Sequence, residues 1–280
     1  MPAQLGIGGS SNYLSALFAL VRLSAAQLVR PPSHSRRAEA ARRLARHSLL
    51  ITAIVGAVII ALIYELDARE IALMPPRGSA SLWPVRILTD FGQDAYVLWL
   101  LAGMLLVVAI IAPGLRGTSQ SLLLSIGTRL EFLFFAVLVP VLAGELIKWI
   151  AGRGRPFVGG KANAFNFVPF NGTEAYASFP SAHAITSVAL AFAVAAVWPR
   201  TRPVMILYAL LIVTSRLVLL AHHPSDVVAG AFIGVIGAMA VRYWFAARRL
   251  GFTIDRDGQI VPLPSTRGQL KRVAGRPSAP

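Results

Sequence analysis

Six long apolar stretches are the feature that most constrains how this chain folds. They lie at about residues 49–64, 96–113, 122–150, 183–198, 204–221 and 227–245. A helix needs roughly 18 or more apolar residues to cross a hydrocarbon core about 30 Å thick, and these stretches approach or exceed that length. The pattern therefore predicts an all-α protein, a polytopic membrane bundle of about six transmembrane helices.

The composition excludes an ordinary soluble domain. Of the 280 residues, 56% are hydrophobic and 14% are charged, whereas soluble domains carry about 25% charged residues. The chain has no cysteine, which excludes disulfides, thiolate metal sites and cysteine nucleophiles. Any active site must therefore use other side chains.

The net charge of +15 follows membrane topology rather than a nucleic-acid-binding surface. Basic residues precede the first apolar stretch, and others lie between alternate stretches and after the last, at Arg116, Arg200, Arg202 and Arg248. Because loops rich in Arg and Lys stay in the cytoplasm, both termini are predicted to be cytoplasmic. The loops at about 67–94 and 151–180 then face the periplasm, if the chain lies in a bacterial inner membrane, as its Ala- and Arg-rich sequence indicates.

Three segments are expected along the chain. Residues 1–46 are predicted to form an amphipathic helix on the cytoplasmic membrane surface, over about 12–30, followed by a basic connector. Residues 47–250 are predicted to be the six-span domain. Residues 251–280, rich in Pro, Gly and Arg, are predicted to be a basic, disordered cytoplasmic tail.

Polar residues inside or beside the apolar stretches fall into three clusters on the predicted outer side. The clusters are "LIKWIAGRGRPF", "FPSAHAITS" and "TSRLVLLAHHPSD", with Lys148, Arg153, Arg155, Ser181, His183, Arg216, His222, His223 and Asp226. An ionisable residue at membrane depth costs about 2.5–3.5 kcal/mol on insertion scales, so such residues mark a functional site. Arg153 is explained equally well as a loop charge, and the role of His223 stays open.

The residue types indicate phosphate chemistry. Lysine and arginine side chains aimed at one spot bind a multiply charged anion, and the arginine fork suits phosphate oxygens. Ser181 follows Pro180 at a helix start, where backbone N–H groups are free to bind anions. Two separate histidines allow one nucleophile and one proton donor, and Asp226 can accept a hydrogen bond from an imidazole N–H.

A metal site is the alternative explanation of the histidines. Two histidines and a carboxylate can form a metal-binding face, and the available residues are His183, His222, His223 and Asp226. The three nearby cations would repel a divalent ion, so neither a metal nor a cofactor is expected. Helical spacing alone does not decide which histidine is the nucleophile.

The spacing of the clusters matches a known signature. Six residues separate Lys148 from Arg155-Pro156, the second cluster contains "PSAH", and "SRLVLLAHHPSD" carries Arg216, His222 and Asp226. This order resembles the three-part signature of the type 2 phosphatidic acid phosphatase superfamily, over about residues 145–230. The resemblance implies a six-helix membrane phosphatase that works without a metal. It also implies a core related to soluble acid phosphatases and vanadium haloperoxidases.

The resemblance implies a role for each site residue. His222 is expected to be the nucleophile that forms a phosphohistidine, Asp226 to orient it, and His183 to protonate the leaving oxygen. The expected phosphate-binding residues are Lys148, Arg155, Ser181, Ala182 and Arg216. Ala182 replaces the usual glycine of the second motif. A first helical turn accepts alanine without backbone strain, so the replacement concerns the room for substrate rather than the activity.

The expected reaction is hydrolysis of a lipid phosphate or diphosphate at the outer, periplasmic face of the bilayer. Undecaprenyl diphosphate is the favoured substrate because its site must face outward. Lipid A, phosphatidylglycerol phosphate and phosphatidic acid are alternatives. A lipid phosphotransferase would use the same phosphohistidine with an acceptor hydroxyl in place of water. A non-enzymatic lipid-phosphate-binding protein is the alternative of another class, but a binder does not need two histidines and an aspartate.

Overall fold

The computed structural model describes residues 13–32, 34–156, 158–160, 162–255 and 259–263. This part of the chain is built from helices joined by short loops, with two short strands at its end. The helices are α1 (Tyr13–Val29), α2 (His34–Glu65), α3 (Asp67–Leu73), α4 (Trp83–Asp90), α5 (Asp94–Ile111), α6 (Gly117–Ala151), α7 (Ala182–Val197), α8 (Arg202–Val218) and α9 (Pro224–Arg248). The strands are β1 (Phe252–Ile254) and β2 (Ile260–Pro262), and single 3₁₀ turns lie at Ala80–Leu82, Ala112–Gly114, Glu174–Tyr176 and Pro199–Thr201.

Every predicted apolar stretch coincides with a helix, and the protein is an all-α membrane protein. Among the described residues, four helical runs are long and apolar enough to cross a bilayer, at 80–114, 117–151, 199–218 and 224–248. Leu49–Glu65 and Asp67–Leu73 meet at a bend of 55° and together form a possible fifth span. Helix α7 is apolar, but its 16 residues give a length of only about 24 Å. The predicted count of six spans is therefore not confirmed.

Helix α9 lies at the centre of the bundle and packs against α2, α6 and α7. Its contact with α7 depends on a residue without a side chain. A Cβ added to Gly230 would lie 2.5 Å from the carbonyl oxygen of Ser181, which is far inside van der Waals contact, so glycine is required there. The close approach brings the start of α9 beside the start of α7, where two of the three polar clusters lie.

A two-stranded hairpin follows α9 and packs on the bundle at the end opposite the polar clusters. The ring of Phe252 is buried with its centroid 4.7 Å from that of Phe132, and Phe132 lies 5.4 Å from Phe245. The expectation of a disordered tail from residue 251 onward is wrong for this hairpin, because the buried Phe252 ring anchors it to α6 and α9. Residues 264–280 lie outside the described residues.

Helix α1 coincides with the amphipathic helix expected from the sequence and lies near the same end of the bundle. Ser24 donates a hydrogen bond to Glu131 of α6, and the indole of Trp244 in α9 donates one to the carbonyl oxygen of Leu28 at 3.1 Å. The position of α1 on the cytoplasmic membrane surface stays a prediction. The expected basic connector is largely helical in its backbone, since α2 begins at His34.

The aromatic anchor of the hairpin makes a testable contribution to stability. We expect Phe252→Ala to lower the free energy of unfolding by about 3–5 kcal/mol, the usual cost of removing a buried phenylalanine ring. Phe252→Leu keeps most of the apolar volume and should cost much less. Thermal unfolding of both variants in detergent checks this. Equal unfolding temperatures for the parent and Phe252→Ala would show that the hairpin is not anchored by this ring.

Candidate active site

The first polar cluster begins in the last turn of α6 and continues through a tight turn. Gly152 ends the helix in the left-handed region, at φ 54°. A Cβ at this position would lie 1.8 Å from the carbonyl oxygen of Val168, so only glycine fits. The next residue, Arg153, pairs with Phe167 in an isolated antiparallel bridge. The chain thus reverses direction at Gly152, and the Arg153 side chain is buried in the protein.

Arg153 is fully buried at the centre of a hydrogen-bond network. Its guanidinium donates to Asp226 at 2.5 Å, to Asp67 at 2.8 Å and to the Ser225 hydroxyl at 2.6 Å. It also donates to the carbonyl oxygen of Ala164 at 2.7 and 3.2 Å. A buried arginine bound to two buried carboxylates is part of the protein interior, so the explanation of Arg153 as a loop charge is wrong.

Asp226 is also fully buried, and its carboxylate is bound by groups other than the His222 imidazole. One oxygen accepts from Arg153, and the other accepts from the Ser178 hydroxyl at 2.6 Å and from the His223 N–H at 2.9 Å. Within the described hydrogen bonds, the expected contact between Asp226 and the His222 ring is therefore wrong. The reason is that Asp226 lies in the first turn of α9, where its carboxylate caps the free N–H of His223.

The His222 side chain is buried, and a backbone group orients its ring. Its Nδ1 lies 2.8 Å from the carbonyl oxygen of Ser178. A carbonyl oxygen only accepts, so Nδ1 carries the proton and Nε2 keeps the free lone pair. Burial lowers the pKa of His222 well below its ordinary value, and the positive charges of Arg216 and Arg155 lower it further. The ring is thus neutral, as a nucleophile requires.

The connection between α8 and α9 sets the position of His222. Leu220 adopts φ 47°, a left-handed conformation that is costly for a residue with a side chain. Such local strain is concentrated at functional sites. Pro224 is the first residue of α9 and His223 is its N-cap. His222 therefore lies between a strained turn and a capped helix.

The second polar cluster lies at the start of α7, next to Asp226. Ser181 is the N-cap, and its N–H donates to the backbone carbonyl oxygen of Asp226 at 3.0 Å. The Ser181 hydroxyl is buried and has no hydrogen-bond partner within the described part of the chain. Ala182 begins the helix, so its N–H belongs to the first turn, where backbone donors can bind an anion.

The cationic side chains of the clusters lie close enough to the two histidines for their charges to act on both rings. Arg216, Arg155 and Lys148 act electrostatically on the ring of His183. Arg216, Arg155 and His183 act in turn on the ring of His222. The structure therefore brings the titratable residues of all three clusters to one place, at the end of the bundle where α9 begins.

Lys148 and Arg155 are each paired with a carboxylate. Lys148 binds Glu145, one turn earlier in α6, and its side chain is 13% exposed. Arg155 donates to the carbonyl oxygen of Glu174 at 3.0 Å and lies 3.3 Å from the Glu174 carboxylate. Burial lowers the pKa of Arg155, and the Glu174 charge opposes that effect. A phosphate that binds these cations must therefore compete with two side chains of the protein.

Arg216 is buried near the end of α8, and its partner is neutral. Its guanidinium donates to the hydroxyl of Thr89 at 2.8 Å. Thr89 also accepts from Ser215 at 3.0 Å. The Nε of Arg216 has no hydrogen-bond partner among the described residues. Arg216 therefore keeps more capacity for an anion than Lys148 or Arg155.

Asp67, Thr89 and Ser178 belong to this arrangement, and the sequence analysis missed them. Asp67 and Thr89 lie in the predicted outer loop at 67–94, which the structure folds into α3, α4 and the turns beside them. Each is a single polar residue outside any motif. No periodicity or spacing marks such a residue, so only the packing of the helices identifies it.

The geometry does not support the metal-site alternative. Within the described residues, no three His, Asp or Glu side chains come together in a way that could hold an ion. The Asp226 carboxylate is bound to Arg153 and Ser178, and Nδ1 of His222 faces a carbonyl oxygen. These contacts occupy the Asp226 oxygens and Nδ1 of His222, and they leave Nε2 of His222 free.

Two kinds of comparison with known proteins find matches. The PAP2 superfamily matches residues 130–250. A lipid A 1-phosphatase of Rhizobium johnstonii is 35% identical over 179 residues, which cover 61% of this chain and 71% of the relative. A lipid A 1-phosphatase of Rhizobium etli is 34% identical over 179 residues, covering 61% of this chain and 75% of the relative. No solved structure gives a significant match.

The two arginines of the first cluster should behave differently although they are two residues apart. Arg153→Met leaves the buried carboxylates of Asp67 and Asp226 without their cation, which should cost about 3–5 kcal/mol in free energy of unfolding. Arg155→Met should keep stability near that of the parent and weaken phosphate binding. Thermal unfolding and calorimetric titration with phosphate separate the two effects. The assignment fails if Arg155→Met is the less stable variant.

The carboxylate of Glu174 should compete with phosphate for Arg155. Glu174→Gln removes the charge and keeps the backbone bond, so phosphate should bind about two- to five-fold more tightly, the worth of an exposed ion pair. Glu65→Gln is the matched control, since Glu65 pairs with Arg69 at 3.5 Å and both side chains are exposed. Phosphate titration of both variants measures the effect. Weaker binding by Glu174→Gln would mean that Glu174 organises Arg155 rather than competing with the anion.

Proposed function

Because the chain belongs to the PAP2 superfamily and is a membrane lipid phosphatase, we propose that its substrate is lipid A and that it releases the 1-phosphate. The observation that carries this proposal is the similarity to two lipid A 1-phosphatases across more than two thirds of their length. The sequence analysis favoured undecaprenyl diphosphate and kept lipid A as an alternative. The relatives give no support to undecaprenyl diphosphate, so lipid A becomes the first candidate.

Exposed aromatic side chains beside the cations support a lipid substrate. Trp149 follows Lys148 directly, and its ring centroid lies 4.8 Å from that of Phe170. The loop that pairs with Arg153 adds Phe165 and further exposed apolar residues. Apolar side chains that stay exposed next to a phosphate-binding site suit a substrate whose phosphate is attached to acyl chains. A small soluble phosphate ester would gain nothing from them.

The proposed reaction proceeds through a phosphohistidine. Nε2 of His222, which holds the free lone pair, attacks phosphorus, and the bond between phosphorus and the lipid oxygen breaks. His183 donates its proton to the leaving lipid oxygen. Water then attacks the phosphorus of the phosphohistidine, and His183 takes up a proton from that water. Inorganic phosphate leaves, and both histidines return to their starting states.

The proposed phosphate-binding groups are Lys148, Arg155, Arg216, the Ser181 hydroxyl and the N–H of Ala182 at the start of α7. Arg216 and the start of α7 are held in place by buried contacts, so these donors can stabilise the charge of the transition state with little reorganisation, whereas Lys148 and Arg155 must first release Glu145 and Glu174. The N–H of Ser181 itself donates to Asp226, which leaves the N–H of Ala182 and the Ser181 hydroxyl as the groups free to reach phosphate.

The contacts of Asp226 lead us to propose a different role for it from the one expected from the sequence. It does not orient the His222 ring directly, but it holds the Ser178 hydroxyl, and the carbonyl oxygen of Ser178 accepts the Nδ1 proton of His222. Asp226 thus positions the acceptor that fixes the tautomer. His223 contributes through its backbone as the N-cap of α9.

The proposed location is a bacterial inner membrane, with both termini in the cytoplasm and the site facing the periplasm. The positive-inside pattern supports this orientation. A lipid phosphotransferase remains the second candidate, because an acceptor hydroxyl can replace water in attack on the phosphohistidine. Transfer of labelled phosphate to a lipid acceptor without free phosphate would favour it.

Substrate choice is tested by phosphate release from a panel of four lipids. We expect purified protein to release phosphate from lipid A faster than from undecaprenyl diphosphate, phosphatidylglycerol phosphate or phosphatidic acid. Mass spectrometry of the lipid A product should show loss of the 1-phosphate. Faster release from any other lipid of the panel would overturn the substrate assignment.

The roles of the two histidines are tested with the same assay. His222→Ala should abolish turnover without loss of protein, because it removes the nucleophile of the proposed reaction. His183→Ala should lower the rate by about 10²–10⁴, the usual worth of general acid catalysis. Vanadate should inhibit as a phosphate analogue that bonds to the nucleophile, and EDTA should not. Near-normal phosphate release by His222→Ala would exclude the phosphohistidine.

A further inference from the structure

Asp67 is a buried carboxylate that belongs to none of the three motifs and lies outside the family match at 130–250. It is the first residue of α3, and its side chain is fully buried. One carboxylate oxygen accepts from the backbone N–H of Ser225 at 3.0 Å. The other accepts from Arg153 at 2.8 Å and from the Ser225 hydroxyl. All of the groups that bind Asp67 are themselves buried parts of the site.

The bonds to Ser225 place a negative charge at the N-terminus of α9. Ser225 is the second residue of that helix and lies three positions after His222. First-turn N–H groups have no partner within their own helix, and the helix dipole favours a carboxylate there. Asp67 thus binds one of these N–H groups, while Asp226 binds the N–H of His223. The two carboxylates together fix the start of α9 against α3.

Arg153 connects the same two carboxylates. Its guanidinium lies between Asp67 and Asp226, and all three side chains are fully buried. Asp226 in turn holds the Ser178 hydroxyl at 2.6 Å, and the Ser178 carbonyl oxygen accepts from His222 at 2.8 Å. A continuous chain of hydrogen bonds and one short peptide segment therefore runs from Asp67 to the imidazole of His222.

We propose that Asp67 is a positioning residue for the His222 nucleophile. It acts through Arg153 and through the N-terminus of α9, and it does not touch the substrate. The inference rests on the proposed function, because it takes His222 as the group that attacks phosphorus. It extends the site to α3, a helix that the family match does not include.

Positioning predicts a loss of rate without a loss of substrate binding. Lys148, Arg155 and Arg216 are not partners of Asp67 in the described hydrogen bonds, so these three phosphate-binding side chains stay in place when Asp67 changes. The His222 ring, by contrast, loses part of the hydrogen-bond network that holds it in position. A displacement of about 1 Å at a reacting atom can cost 10²-fold in rate.

The test is steady-state kinetics of Asp67→Asn on the best lipid of the panel. The amide oxygen can still accept from Ser225, but the amide NH₂ cannot accept from Arg153. We expect kcat to fall about ten- to 100-fold, with KM and phosphate affinity within about two-fold of the parent. Asp67→Glu restores the charge at a slightly longer reach, so it should recover part of the lost kcat.

Glu70→Gln is the matched control. Glu70 lies one turn later in α3 and is also buried, but its carboxylate oxygens have no hydrogen-bond partner within the described residues. It should keep kcat within about three-fold of the parent. If Glu70→Gln loses as much kcat as Asp67→Asn, any change in α3 has the same effect and the positioning role is overturned.

Size-exclusion chromatography separates positioning from a general loss of folded protein. We expect Asp67→Asn to elute as the same monodisperse species and in the same yield as the parent, while turning over slowly. A reduced monodisperse yield with normal turnover per folded molecule would overturn the proposal, and so would unchanged kcat. If Asp67→Asn does not accumulate in membranes, Asp67→Glu is compared with the parent instead. We then expect a kcat between those of the parent and an inactive variant. A raised KM or an unchanged kcat would contradict the proposal.

The parent protein in the same assay keeps the two proposals distinguishable. Phosphate release by the parent together with an unchanged kcat in Asp67→Asn rejects only the role of Asp67. If the parent releases no phosphate from any lipid, the proposed function fails, and the inference fails with it because it depends on His222 as nucleophile.

Discussion

The ion pairs of Arg153 with Asp67 and Asp226 are the interaction on which the site depends. Three charges are buried together, and each would be costly to bury alone. Because the guanidinium fork binds both carboxylates, the end of α6, the start of α3 and the start of α9 are held at fixed positions. Breaking either ion pair of Arg153 leaves a buried charge without its partner, so the positions of these three segments depend on one another.

Around this fixed centre the reactive groups are arranged with opposite electrostatic requirements. The cations that we propose bind phosphate must stay charged, and the imidazole that we propose as nucleophile must stay neutral. Burial and the nearby positive charges disfavour protonation of His222, while the Ser178 carbonyl oxygen selects the tautomer. Lys148 and Arg155 are balanced by Glu145 and Glu174, so the cluster of positive charge is less costly to assemble.

The apolar pattern predicted the helices well, because a buried or lipid-facing helix needs a long apolar sequence. Each of the six predicted stretches is helical. The pattern could not decide the number of spans, since α7 is short and α2 and α3 are separated by a bend. It also missed the hairpin after α9. In a Pro- and Gly-rich tail, nothing in the local sequence indicates that one phenylalanine packs between helices. Similarly, α3 and α4 were expected to be loop, although they contribute Asp67 and Thr89.

The sequence by itself determined the class of protein, the chemistry and the residues that carry the signature, because apolar length and motif spacing are written along the chain. Only the tertiary structure decided which groups touch. It moved Arg153 from a loop charge to the centre of a buried network. It also decided that the Ser178 carbonyl oxygen, and not the Asp226 carboxylate, orients the His222 ring. The physical reason is that each of these contacts joins residues tens of positions apart, so their partners are set by how α3, α6, α7 and α9 pack, which no local pattern records.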